Sequence, residues 1–298
     1  MKRILSGIIA VLLIVSLTLS AFAAQSLDEY RSMMKTGFST DKAARKMDYL
    51  YYSPVKGEDD TQKYPLLIYI HGMFYGLAGP GTHVRTSYMP YFIEDSLQAK
   101  FEEGGCFLMV PRSATDGIWS TWSKGKVGCL KALIDEFIRE NPNVDPNQIY
   151  ILGSSAGGAM IWNMLTAYPD FWAGAVILSA AKFVSRANVE KAKNIPIWMI
   201  GTKDDILINY WIMQRPVWNN IKALNTNPDK CRFSTFSGGV VYPDGTKPFL
   251  SHNLAPVVGH ELTMADGSPY PNLVTETGTG ITIPPEEVGI ISWINDMD

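Results

Sequence analysis

Five short stretches of the chain are apolar at every position, and polar or helix-patterned sequence separates them. They are residues 66–70 (LLIYI), 106–110 (CFLMV), 149–152 (IYIL), 175–178 (AVIL) and 197–200 (IWMI), with a weaker sixth at 232–236 (RFSTF). A strand with one wet face alternates apolar and polar residues. Runs apolar on both sides therefore predict strands buried on both faces, as in a parallel sheet. Helical spacing appears in between, at 127–140, 156–168, 189–194 and 285–296. Glu286 and Glu287 fall in the first turn of the last of these, where carboxylates suit the helix dipole. Alternation of this kind predicts an α/β fold, a doubly wound, mostly parallel sheet with right-handed crossovers and helices on both faces. Ligands of such sheets sit beyond the carboxyl ends of the strands.

The first residues follow a different pattern. Met1-Lys2-Arg3 is a basic head, residues 4–19 are an apolar run, and Ala21-Phe22-Ala23 is a small-x-small site. That is the layout of a secretory signal peptide cut after Ala23. The run is short for a spanning helix, which needs about 20 apolar residues, and Ser16, Thr18 and Ser20 dilute it. Secretion, to the periplasm or outside the cell, is the expectation, with no membrane association after cleavage. Residues 24–298 then form a single domain with a Gly/Pro-rich insertion or lid at about 238–284. Hydrophobic residues make up 46% of the chain and charged residues 18%, the balance of a globular protein. The net charge of -3 suggests no basic face and argues against a nucleic-acid partner. Cys106, Cys129 and Cys231 are too dispersed for a paired-cysteine zinc site, and three thiols allow at most one disulfide. No metal or cofactor is expected. Oligomeric state is left open.

The residues just past the strands carry the chemistry. Gly153-Ser154-Ser155-Ala156-Gly157-Gly158 matches G-x-S-x-G with Ser155 at its centre, between a strand pattern and a helix pattern. In that setting the serine sits in a tight turn at a helix N-terminus, and the small neighbours let helix and strand approach. Ser154 is the neighbour that shapes the turn and borders the substrate. A serine needs a base and an orienting acid. Past the fifth strand, Gly201-Thr202-Lys203-Asp204-Asp205 offers two adjacent carboxylates; spacing from Gly201 favours Asp204, with Asp205 the alternative. The chain has four histidines. His71 precedes Gly72 at the end of the first strand and reads as part of an oxyanion loop, and His83 reads as a loop residue. His252 and His260 follow the sixth strand, so either keeps the chain order Ser, Asp, His. Backbone N–H groups of Met73 and Ala156 are the expected oxyanion donors, with His71 and Gly72 beside the substrate. Trp119 and Trp122, in DGIWSTWSK after the second strand, are candidate stacking residues for a sugar or a phenolic acyl group.

These segments together resemble the α/β-hydrolase superfamily. More narrowly they resemble its secreted polyhydroxybutyrate-depolymerase-like, feruloyl-esterase-like and "predicted peptidase" esterases. YPLLIYIHG, FLMVPR, PNQIYILGSSAGGAMIWNMLTAYPDFWAGAVILSA and IPIWMIGTKDD carry the resemblance, over roughly residues 65–205. It implies an α/β-hydrolase fold and a Ser-His-Asp triad acting through an acyl-enzyme. It also favours His252, because relatives often show a stretch of the form H-x-x-W-x-P-V and 252–258 (HNLAPVV) partly matches it, with no Trp after the His. The implied activity is a secreted serine esterase on carbohydrate-linked feruloyl or acetyl groups, or on short acyl esters. A serine peptidase of the same fold and a hydroxyalkanoate depolymerase are the alternatives, with a non-catalytic binding protein after them.

Overall fold

A computed structural model describes residues 24–45, 47–73, 88–113, 124–248 and 251–297. The signal segment, His83, Trp119 and Trp122 lie outside the described residues. The elements run α1 (Ala24–Met33), β1 (Lys35–Phe38), β2 (Asp48–Tyr52), β3 (Tyr64–Ile70), α2 (Asp95–Gln98), β4 (Phe107–Pro111), α3 (Val127–Glu140) and β5 (Val144–Ser154). They continue as α4 (Ala156–Ala167), β6 (Gly174–Leu178), α5 (Arg186–Lys191), β7 (Ile197–Thr202), α6 (Arg215–Leu224), β8 (Arg232–Phe236), α7 (Ala255–Gly259), β9 (Leu273–Thr277), β10 (Thr282–Ile283) and α8 (Ile290–Asn295).

All ten strands join one sheet in the order β1-β2-β4-β3-β5-β6-β7-β8-β9-β10. The six predicted strands are its centre, β4-β3-β5-β6-β7-β8, and every neighbouring pair among them is parallel. Their continuous apolar sequence follows from two-sided burial. Leu66, Ile68 and Ile70 of β3, with Ile149 and Ile151 of β5, enter one apolar layer; Leu67, Tyr69, Tyr150 and Leu152 enter the layer on the opposite face. The first layer holds the buried side of α3, including Leu130, Leu133, Ile134 and Phe137, and the second holds Trp293 and Ile294 of α8.

Antiparallel strands extend both edges: β1 and β2 on one side, β9 and β10 on the other. The last two lie inside the segment expected as an insertion or lid, so residues 273–283 of it are sheet. The same segment contains α7, whose five residues are all buried. The single helix expected at 285–296 is instead a 3-10 turn, Pro285–Glu287, followed by α8. Gly289 interrupts them with an extended backbone (φ -148°, ψ 143°), so Glu286 and Glu287 fall in the first turn of the 3-10 segment and not of α8. α6, absent from the sequence reading, opens at Arg215-Pro216 after one π-helical turn, Tyr210–Gln214. Because the central strands are parallel, the loops after β3, β5, β6, β7 and β8 gather on one edge of the sheet.

Candidate active site

β5 ends at Ser154, and Ser155 turns the chain into α4 with φ 55° and ψ -113°. A side chain bearing a Cβ reaches that region only under strain, which persists where the surroundings over-determine it. Here they do. Ser155 N–H donates to Leu178 O at 2.9 Å, and Ser155 O accepts from Ala181 N–H at 2.9 Å, so both sides of the turn are tied to the end of β6. The flanking glycines admit the approach. A Cβ on Gly157 would lie 2.0 Å from Ile70 O, and one on Gly153 would lie 2.6 Å from the same atom. Ser154 is buried as the last strand residue, so it shapes the turn and offers no open face to a substrate. Ala156 is the first residue of α4, where an N–H has no partner within the helix.

Two strands away, the carboxylate that meets a histidine is Asp205. Its Oδ2 lies 2.8 Å from His252 Nδ1. Its Oδ1 accepts from the N–H groups of Leu207 and Ile208, each at 2.9 Å. The side chain is fully buried, and that of His252 is 15% exposed. The two backbone donors leave Oδ2 as the free end of the carboxylate and aim it at the ring. Asp204, which spacing had favoured, faces the other way: its Oδ2 accepts from Gly239 N–H at 2.7 Å and it is solvent-exposed. The turn after Thr202 thus sends successive carboxylates to opposite sides. Gln214 steadies it from behind. A Cβ on Gly201 would meet Gln214 Oε1 at 1.8 Å, and Gln214 Nε2 donates to Ile208 O at 3.1 Å. Nothing in the sequence marks Gln214 for this support, because a buried glutamine at the end of a π-turn reads as a surface residue.

His260 takes a different environment. It closes α7 and packs on the Tyr91 ring, centroid to centroid 4.1 Å, and burial lowers its pKa from the usual histidine value. The structure therefore brings His252, and not His260, to a carboxylate. His71 is fully buried, so it lies beneath the expected substrate surface and supports that surface from below. Met73, after it, is 37% exposed. Large apolar side chains stand in solvent along the same edge: Phe183 after β6, and Ile206, Leu207, Trp211 and Ile212 after Asp205. No charged residue occurs from 206 to 214. Beyond the His252 loop lies a cleft of about 340 Å³ whose lining includes Gly239, Val240, Lys247, Ser251 and Tyr270. Among the described residues no group of His, Cys, Asp and Glu could hold a metal ion, and no helix is long and apolar enough to cross a membrane.

Comparison with known proteins agrees with this architecture. Residues 115–213 match the model of the prolyl oligopeptidase family. A poly(3-hydroxyalkanoate) depolymerase C of Paucimonas lemoignei is 29% identical over 72 residues, 24% of this chain and 17% of that protein. A thermostable esterase aligns with a TM-score of 0.59 at 22% identity, over 76% of this chain and 60% of the esterase. A ferulic acid esterase of Anaeromyces mucronatus aligns with a TM-score of 0.50 at 12% identity, over 68% of this chain and 82% of its own. The chain thus spans less than two thirds of the depolymerase and of the thermostable esterase.

Proposed function

We propose that the chain, whose fold gathers reactive side chains past the carboxyl ends of parallel strands, is a serine hydrolase of the α/β-hydrolase superfamily acting on carboxylic esters. The observation that carries this reading is the pairing of a strained Ser155 turn with a buried Asp205–His252 hydrogen bond on the same sheet edge. Ser155 follows β5 and Asp205 follows β7, two inter-strand spacings or roughly 10 Å apart. A carboxylate, imidazole and hydroxyl in series cover that span.

In the proposed mechanism His252 Nε2 takes the Ser155 proton as Oγ attacks the acyl carbon. Asp205 holds the Nδ1–H tautomer and stabilises the imidazolium. Met73 and Ala156 N–H groups donate to the oxyanion; one such donor is typically worth about 3 kcal/mol in the transition state. The intermediate collapses as His252 returns the proton to the departing alcohol, and water, activated by the same ring, frees the acid from the acyl-enzyme.

The charge-free, apolar rim at 206–214 and Phe183 favour an uncharged ester with an aromatic or aliphatic acyl group over a charged one. Carbohydrate-linked feruloyl or acetyl groups and short acyl esters are the proposed substrates; a hydroxyalkanoate polyester is the alternative, and the depolymerase likeness favours it. The prolyl oligopeptidase match favours a peptidase as the second reading. We further propose export by the N-terminal segment, with cleavage after Ala23. A panel of acetyl, butyryl, feruloyl and hydroxybutyrate esters beside a peptide amide, on wild type and Ser155→Ala, tests the assignment. Turnover of esters lost in Ser155→Ala is the expected result. Turnover of the amide alone would transfer the chain to the peptidases, and full turnover by Ser155→Ala would end the serine mechanism.

A further inference from the structure

A chain of buried polar contacts lies under the loop expected to supply one oxyanion donor. Ser113, just past β4, donates its backbone N–H to His71 Nε2 at 3.0 Å. That nitrogen must therefore be unprotonated, and the ring proton sits on Nδ1. The Nδ1–H in turn donates to Gly72 O at 2.7 Å. Behind Ser113, Lys126 Nζ donates to Ser113 Oγ at 2.9 Å. His71, Ser113 and Lys126 are 0%, 1% and 7% exposed.

The consequence comes from peptide planarity. In a trans peptide the C=O of one residue and the N–H of the next point in opposite directions, and rotating one rotates the other. Holding Gly72 O inward on a buried ring therefore turns Met73 N–H outward. That is the direction in which an oxyanion donor must point, and a donor misplaced by a fraction of an ångström loses much of its effect. We propose that Ser113 and Lys126 are positioning residues: the Ser113 backbone N–H fixes the tautomer and orientation of His71, and the Lys126–Ser113 Oγ hydrogen bond holds that N–H in place, so that this brace, remote from the reacting atoms, sets the direction of the Met73 N–H. The proposal rests on the reading of Ser155 as nucleophile. It extends the site to two side chains, one just past β4 and one just before α3.

The test compares Ser113→Ala and Lys126→Met with the conservative Ser113→Thr and Lys126→Arg, all in the full mature chain. Steady-state kinetics on p-nitrophenyl acetate are read beside the affinity for a trifluoromethyl ketone, which binds by forming the oxyanion. The expected result is a fall in kcat of about 10-fold with KM within about twofold, a parallel loss of ketone affinity, and recovery in the Thr and Arg variants. The melting temperature stays near that of wild type in Ser113→Ala, which decides the matter should Lys126→Met fail to fold. Unchanged kcat in Ser113→Ala would overturn the brace, as would a kcat loss with ketone affinity intact. Ser155→Ala, run in parallel, separates the two layers: turnover kept near the wild-type rate there defeats the nucleophile, whereas its loss beside a silent Ser113→Ala defeats the brace alone.

Discussion

Asparagine substituted at Asp205 and, separately, at Asp204 puts a number on the acid. Asp205 Oδ2 sits 2.8 Å from His252 Nδ1, on a side chain with no solvent contact. When His252 takes the serine proton it becomes a cation with its charge centre ~4 Å from that of the carboxylate; at an effective dielectric of about 20 the attraction is about 4 kcal/mol. At about 1.4 kcal/mol per factor of ten, Asp205→Asn lowers kcat roughly 10³-fold. An asparagine that presents its NH₂ to the ring also selects the wrong tautomer, which carries the loss toward about 10⁴. The fold survives, because the amide oxygen can still accept from Leu207 and Ile208, as Oδ1 does now, and the melting temperature moves by no more than about 3 °C. Asp204→Asn leaves an exposed amide that still accepts from Gly239 N–H, with stability changed by less than about 1 kcal/mol and kcat within twofold. Steady-state hydrolysis of p-nitrophenyl acetate, with circular-dichroism melts as the control for folding, measures all four quantities. If Asp204→Asn costs as much kcat as Asp205→Asn, or more, the geometric argument is wrong.

Three further outcomes follow from the packing. Gly157→Ala forces a Cβ to 2.0 Å from Ile70 O, a backbone atom with nowhere to go; a loss of about 3 kcal/mol, seen as a drop in melting temperature of roughly 5–10 °C, is expected, and an unshifted melt would refute it. Glu261 is held near pKa 7 by burial, against hydrogen bonds from the Ile291 and Ile290 N–H groups. The folded protein therefore keeps a proton that the unfolded chain gives up near the ordinary glutamate value of 4.5. Stability falls between those values as pH rises, by about 3 kcal/mol in all, and Glu261→Gln removes that slope; urea unfolding at pH 5 and pH 8 checks it, and parallel slopes in both proteins would count against it. Glu136 behaves oppositely: burial raises its pKa, but hydrogen bonds from Ser39 and Thr40 prevail and hold it down to about 2. Its contribution is complete above the ordinary glutamate value of 4.5 and is lost as pH falls toward 2, so Glu136→Gln should bring the midpoint of an acid titration to higher pH.

The six central strands were legible because burial on both faces leaves an unbroken apolar signature. Their four antiparallel companions were not. β1 (KTGF) is mostly exposed and carries no periodicity, and its existence depends on the neighbouring β2. β9 and β10 sit within a Gly/Pro-rich segment whose composition reads as loop. The turn at Ser155 was legible because it constrains five neighbouring positions at once. The choice between adjacent carboxylates was not, since it is decided by which one faces the Leu207 and Ile208 N–H groups, a property of the turn's path. Glu261 gave no signal for a related reason: a glutamate inside a fold looks like any surface glutamate until the N–H of Ile291, 30 residues later, is seen beside it.

The three thiols bear on how the protein can be made and observed. All are free and buried; burial raises the Cys106 pKa and pushes Cys231 up to about 12. The fold therefore draws no support from a cross-link, and a reducing cytosol should yield the same molecule as an oxidising compartment. Buried sulfur also reacts slowly with maleimides. One cysteine introduced at exposed Phe183 would then be the sole reactive handle on the molecule, and a fluorophore there would sit on the very edge where substrate is expected to arrive.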